Sequence, residues 1–272
     1  MKVLFVGGGN MAAAMIGGLT ARGMAASSIG VVEPRPEARD DLAARFGVKV
    51  FASVALAPIA AAETVVMAVK PQQMRAAANE VGPLLTSAAV LSIAAGIRLA
   101  DLSRWLGGHR KLVRSMPNTP ALIRCGVTGL YAAPDVDAAV RASVEEVVAA
   151  IGSSFWVDDE ALMDAVTAVS GSGPAYVFYF MEALQQGALD FGFSPESARQ
   201  MALETVLGAA KLAAAGGDGF DVLRERVTSK GGTTAAALAR MQELQVAEGV
   251  AAGMRAADAR GRELGEQLGK EN

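Results

Sequence analysis

Cysteine and histidine are almost absent from this chain, with one of each, Cys125 and His109, among 272 residues. A single cysteine excludes an internal disulfide framework and suits a reducing compartment, so a cytoplasmic location is expected. One histidine and one cysteine do not make a nitrogen/sulfur metal centre or a nucleophile–base pair, and no metal is expected. An excess of either charge is lacking too. The 25 Lys and Arg stand against 28 Asp and Glu, dispersed along the chain for a net charge of -3. No basic block or aromatic-interleaved stripe is present to hold nucleic acid. Long apolar runs are also missing: Val54 to Val69 is interrupted by Pro58 and Glu63, and Val3 to Val6 is too short for a signal peptide. These absences lead us to expect a soluble, unprocessed chain with no membrane or nucleic-acid partner.

Glycine is abundant instead, with 30 copies, well above a usual share of about 7%. Such an excess points to tight turns and close backbone approaches. A hydrophobic share of 52% supports a packed core, and the length suggests two domains.

The first half alternates strand-like and helix-like segments. Val3 to Val6, Ile29 to Glu33, Thr64 to Val69, Ala89 to Ile93, Lys111 to Ser115 and Val127 to Tyr131 read as strands. Helices are expected over Asn10 to Arg22, Pro36 to Phe46, Gln72 to about Leu85 and Val136 to Ile151. This alternation predicts a parallel sheet covered on both faces. After Phe155-Trp156-Val157 the strand signal stops. Ala161 to Val169, Pro174 to Phe191, Pro195 to Ala215, Thr233 to Glu243 and Val246 to Leu268 read as helices. The fold class is therefore α/β followed by an all-helical domain, divided as residues 1–158 and 159–272. The helices carry more alanine, leucine and methionine than a small monomeric bundle needs. Part of that surface is expected to pack on another subunit, the alternative being an internal core.

Between the first strand and first helix lies Gly7-Gly8-Gly9-Asn10-Met11-Ala12, a G-x-G-x-x-A pattern. Gly7 permits a tight turn, Gly9 lets a pyrophosphate approach the backbone, and Ala12 permits close helix–strand packing. The helix N-terminus adds unpaired N–H groups for the phosphates. Glu33 closes the second strand and suits a ribose diol, favouring NAD. Arg35, two residues on, suits a 2′-phosphate, favouring NADP. The residues leave that choice open, and each charge also reads as a solvated loop residue.

A second glycine cluster, Ser229-Lys230-Gly231-Gly232-Thr233-Thr234, precedes a helix. Its backbone N–H groups suit an anionic carboxylate. Helix capping by the threonine hydroxyls is the alternative.

Other residues invite chemistry and have plainer readings. His109 reads as a surface loop residue and Cys125 as a small packed side chain. Asn118 reads equally as a nicotinamide contact or a turn former, and Lys70 as a cofactor contact or a solvated charge. Tyr176 and Phe178 to Phe180 read as helical core.

Several segments carry a family resemblance. They are Gly7 to Ala12, Ala68-Val69-Lys70-Pro71-Gln72, Ser92-Ile93-Ala94-Ala95-Gly96 and Met116-Pro117-Asn118-Thr119-Pro120. Ser170-Gly171-Ser172-Gly173-Pro174-Ala175-Tyr176 and the Ser229 to Thr234 loop complete the set. In this order and spacing, over nearly the whole chain, the sequence resembles the pyrroline-5-carboxylate reductases. The resemblance implies a Rossmann-type N-terminal domain and a helical dimerisation domain. It implies reduction of L-1-pyrroline-5-carboxylate to L-proline with NADPH, NADH being the second possibility. It implies cofactor contacts at Gly7 to Ala12 and Ala68 to Pro71, with Ala94, Ala95 and Gly96 on the nicotinamide side. Ser229, Gly231, Gly232, Thr233 and Thr234 would hold the substrate, and Thr234 would bond to the ring nitrogen as the catalytic residue. It further implies a homo-oligomer, at least a dimer, whose active site uses both subunits.

Two departures stand out. Lys230 replaces the family's usual proline before the glycine pair, and Phe220 stands near the place of another missing proline. Neither removes a group that imine reduction requires. A protonated cyclic imine needs an oriented hydride donor rather than a strong protein acid, which suits the missing His and Cys. The alternatives are another imine reductase, a β-hydroxyacid oxidoreductase, or a non-catalytic dinucleotide sensor. The β-hydroxyacid family resembles this one but carries a lysine four residues beyond the second glycine of its motif, where this chain has Val177. A sensor would have no need of the Gly231 to Thr234 loop.

Overall fold

The computed structural model describes residues 2–270. In chain order the first part runs β1 Val3–Val6, α1 Asn10–Ala21, β2 Ile29–Val32, α2 Pro36–Phe46, β3 Lys49–Phe51, β4 Thr64–Met67 and α3 Pro71–Val81. It continues with β5 Ala89–Ser92, α4 Leu99–Trp105, β6 Leu112–Met116, β7 Gly126–Ala132, α5 Ala138–Val148 and β8 Gly152–Trp156. These strands form one sheet in the order β3-β2-β1-β4-β5-β6-β7-β8.

Strands β1 to β6 are parallel, as the alternation predicts, and β8 is parallel to β7. The parallel expectation fails at β7, which runs antiparallel to β6. Residues 117–125 are too few for a parallel crossover, which needs a dozen or more. They form instead a short 3-10 turn over Thr119–Ile123, closed by Arg124 at φ 60.

Successive residues of a strand face opposite sides, and the two cores follow from that. Val3 and Phe5 of β1 pack with Met15, Ile16 and Leu19 of α1 and with Val144 and Val147 of α5. Leu4 and Val6 pack on the other face with Met74 and Val81 of α3 and with Leu102 and Trp105 of α4. Both β3 and α4 lie outside the sequence expectation. β3 has three residues at a sheet edge, and α4 is a seven-residue helix buried through Leu99, Leu102 and Trp105.

The helical part runs α6 Leu162–Val166, a π turn at Thr167–Gly171, then α7 Gly173–Asp190, α8 Pro195–Ala215, α9 Phe220–Arg226, α10 Thr233–Glu243 and α11 Val246–Lys270. The chain forms two compact units, one of residues up to Ser172 together with those from Ala256 onward, the other Gly173–Arg255. The compact units thus divide later than residue 158. An ion triad ties α6 to the sheet. Arg114 of β6, 3% exposed, meets Asp164 at 3.0 Å and Glu160 at 3.3 Å. Glu160 also accepts the N–H of Leu99 at the start of α4, at 2.8 Å.

The second unit buries very little of itself. Among its described residues only Ala198 and Ala202 are buried. Phe178, Tyr179 and Phe180, expected in the helical core, are exposed, while Tyr176 is half-buried. Apolar surface of that kind marks a face awaiting cover rather than a finished core. No helix among the described residues is long and apolar enough to cross a membrane.

Candidate active site

The first glycine turn sits where the strand order reverses, with β2 on one side of β1 and β4 on the other. That crevice is the usual ligand position in open α/β sheets. Gly7 has φ +104, and a Cβ there would lie 2.7 Å from the carbonyl oxygen of Ala68. Only glycine fits that backbone and that approach. A Cβ at Gly9 would meet nothing within 4 Å, so the space above the turn is open. α1 starts with no side-chain cap and no acidic residue in its first turn, leaving N–H groups and a positive dipole end for an anion.

Glu33 braces this turn. It is 5% exposed, one carboxylate oxygen accepting the Gly8 N–H at 3.1 Å. The other oxygen accepts both the Arg35 backbone N–H at 3.1 Å and Arg35 Nε at 2.8 Å. Burial pushes the Glu33 carboxyl up, but hydrogen bonds from Arg35 and Gly8 and the Arg35 charge outweigh it and hold the carboxyl below the usual carboxylate range. The two residues that the sequence offers as rivals for the cofactor are therefore one ion pair.

A cavity of about 900 Å³ opens over the turn. Gly7, Gly8, Gly9, Glu33 and Arg35 line it from one side, and Ala68, Val69 and Lys70 from the other. Asn10, Met11, Ala12 and Pro71, in the first turns of α1 and α3, do not line it, and Ala12 is buried in the core. Ala94, Ala95 and Gly96 form the next loop along the sheet, after β5, and do not line this cavity. Gln72, which closes the Ala68–Gln72 segment, lines it too, as do Ser53 and Gln73, which no sequence motif marks. Ser53 follows β3, whose one sequence signal is the short alternation Val48-Lys49-Val50. The open cradle, the uncapped helix and the cavity fit a nicotinamide dinucleotide.

The second glycine cluster is open as well. Gly231 has φ +74, and Gly232 donates to the Ser229 carbonyl at 3.0 Å. Extended backbone at Gly232 starts α10, and no side chain caps that helix. The hydroxyls of Thr233 and Thr234 are thus not spent on capping, with Thr233 exposed and Thr234 half-buried. Lys230 is exposed.

The remaining candidates resolve individually. Asn118 accepts the Val127 N–H at 2.9 Å and donates to the Ser170 carbonyl at 3.1 Å, so its amide is committed to the backbone. Cys125 is exposed, not packed, because it lies in the turn before β7. His109 is half-buried, with Nε2 2.9 Å from the Ala88 carbonyl, and burial pushes its pKa down. Among the described residues no group of His, Cys, Asp and Glu is arranged to hold a metal ion.

A glycine turn at the switch point of a doubly wound sheet, followed by a helical unit, defines the class of dinucleotide-binding oxidoreductases. Residues 2–96 match the family of NADP oxidoreductases described as coenzyme F420-dependent, and residues 160–264 match the pyrroline-5-carboxylate reductase dimerisation family. A pyrroline-5-carboxylate reductase of Pseudomonas aeruginosa is 45% identical over 99% of this chain and 98% of its own length. The structure of a Coxiella burnetii pyrroline-5-carboxylate reductase superposes with a TM-score of 0.92 at 37% identity, covering 97% of this chain and 98% of that one. A Plasmodium falciparum pyrroline carboxylate reductase with NADP bound matches with a TM-score of 0.84 at 25% identity, over 97% and 98%. This chain belongs to the pyrroline-5-carboxylate reductase family.

Proposed function

We propose that this protein reduces L-1-pyrroline-5-carboxylate to L-proline, the last step of proline biosynthesis in the cytoplasm, with NADPH as donor and NADH as the second choice. Family membership supports the reaction. The observation that carries the substrate reading is the uncapped Ser229–Thr234 loop, whose hydroxyls and helix N-terminus are unspent. When bound, the reduced dinucleotide supplies a hydride to the imine carbon.

The chain's own residues bind and orient. Gly7 to Ala12 and the start of α1 hold the pyrophosphate. Glu33 faces the ribose. The Arg35 side chain, 68% exposed, is free to turn from Glu33 toward a 2′-phosphate. Ala68 to Pro71 and Ala94 to Gly96 border the nicotinamide. Ser229, Gly231, Gly232 and Thr233 receive the substrate carboxylate, and the Thr234 hydroxyl fixes the ring nitrogen, which carries its proton from solution. Residues 1–158 serve the cofactor. Residues 159–272 serve the substrate and form a homo-oligomer, at least a dimer, through the exposed apolar faces of the helices.

Mixing the protein with pyrroline-5-carboxylate and either NADPH or NADH, while following cofactor oxidation and proline formation, tests the reading. Proline accumulating with consumption of the reduced cofactor is expected. Oxidation only with other imines would move the substrate, and binding without turnover would make the chain a sensor.

A further inference from the structure

The last turns of α11 belong to the same compact unit as the sheet. Within them Gly265 is buried and touches the loop after β5. A Cβ at Gly265 would lie 3.0 Å from the carbonyl oxygen of Gly96, tighter than most Cβ contacts, so helix or loop would have to give by a few tenths of an ångström. Gly96 has φ +76, so the direction of its backbone is one that other residues rarely adopt. Neighbours hold the seat in place. Leu268 packs with the core that contains Ala94 and Ile97, and Arg104 donates to the Gly269 carbonyl at 3.0 Å. One turn earlier the same helix makes a looser approach, since a Cβ at Gly261 would lie 3.6 Å from the Asp164 Cβ.

Loops at the carboxyl edge of the sheet follow the order β2, β1, β4, β5. A dinucleotide with its pyrophosphate at the β1 turn and its adenosine toward Glu33 extends its other half over the β4 and β5 loops. We propose that Gly265 is a positioning residue for the nicotinamide half of the dinucleotide: the missing side chain lets α11 close on Gly96 and set the Ala94–Gly96 loop. The proposal rests on the reading that this loop borders the nicotinamide.

Calorimetric titration of the full chain with NADPH or NADH, and with the matching ADP-ribose fragment that lacks nicotinamide, tests it. Gly265→Ala weakens the dinucleotide about tenfold. It leaves the fragment unchanged, and fragment binding at full stoichiometry shows that the variant is folded. Gly261→Ala, with room for its methyl group, leaves both ligands alone. Leu268→Ala loosens the same seat without adding an atom and shows the same selective loss, which keeps the test available if Gly265→Ala folds poorly. Equal loss of both ligands, or of neither, overturns the proposal. Ala95→Leu separates the two ways to fail. If it weakens only the dinucleotide while Gly265→Ala does not, the loop is where we place it and the role of Gly265 falls. If Ala95→Leu changes neither ligand, the placement and the role fall together.

Discussion

Gly7–Gly9 and Gly231–Gly232 are both glycine turns that open a helix, yet their surroundings differ in kind. The first is enclosed by its own unit: Val32 accepts the Gly7 N–H, Ala68 crowds Gly7, and Glu33 holds the Gly8 N–H. The second has open space beside Gly231, an exposed Thr233 and a helix start with no side-chain cap. The same contrast holds for the units that carry them. The sheet unit has a core on each face, whereas α7, α9 and α10 bury no residue at all. A cofactor site that must present phosphate donors in fixed positions gains from such bracing. On the function proposed above, substrate would complete the open loop and a second copy would cover the bare helices.

The largest expected effect probes the braced turn. Gly7→Val forces a side chain into the Ala68 carbonyl at a left-handed φ, and dinucleotide affinity measured by fluorescence titration falls by about 100-fold, the upper end of such backbone strain converted at about 1.4 kcal/mol per tenfold. Retained affinity would mean that the bracing is not functional. Next comes the second unit. If its faces are covered by another copy, each tenfold dilution removes about 1.4 kcal/mol of apparent stability, read as a falling melting temperature. A melting temperature independent of concentration would mean that the helices stand alone.

Acid sharpens the comparison from the first side. Glu33 has a lowered folded-state pKa, so its contribution to stability is fully present above its unfolded value and is lost as pH falls through the folded one. The stability gap between the protein and its Glu33→Gln variant is therefore wide at neutral pH and closes in acid. A gap unchanged by pH would mean that the Glu33 charge contributes nothing to the brace. The smallest effect concerns the open loop. Lys230→Pro, which restores the family's usual residue, changes stability by about 0.4–1 kcal/mol at most where the backbone accepts it. Substrate KM shifts little, because Lys230 projects into solvent.

Much of this was legible in the residues. The strand–glycine–helix order around Gly7 announces the dinucleotide turn, and Pro195 marks the start of α8. What was not legible depends on contacts distant in sequence or on very short elements. The Arg114 triad joins residues 46 and 50 positions apart, with no local pattern to reveal it. β3 is three residues long, so Ser53 was lost with it. The direction of β7 follows from the shortness of 117–125, which composition alone does not show. Capping and substrate binding at Thr233 and Thr234 are equivalent in sequence, and the start of α10, with Gly232 as N-cap and no side-chain cap, removes only the capping reading.

The central claim is that the braced turn holds the cofactor while the open loop orients the imine. Thr234→Ala, assayed in one preparation for dinucleotide affinity and for turnover of pyrroline-5-carboxylate, tests it most directly. The account predicts turnover reduced by about 10- to 100-fold, the worth of one lost orienting hydrogen bond, with dinucleotide affinity unchanged. Undiminished turnover, or a parallel loss of cofactor affinity, would contradict it.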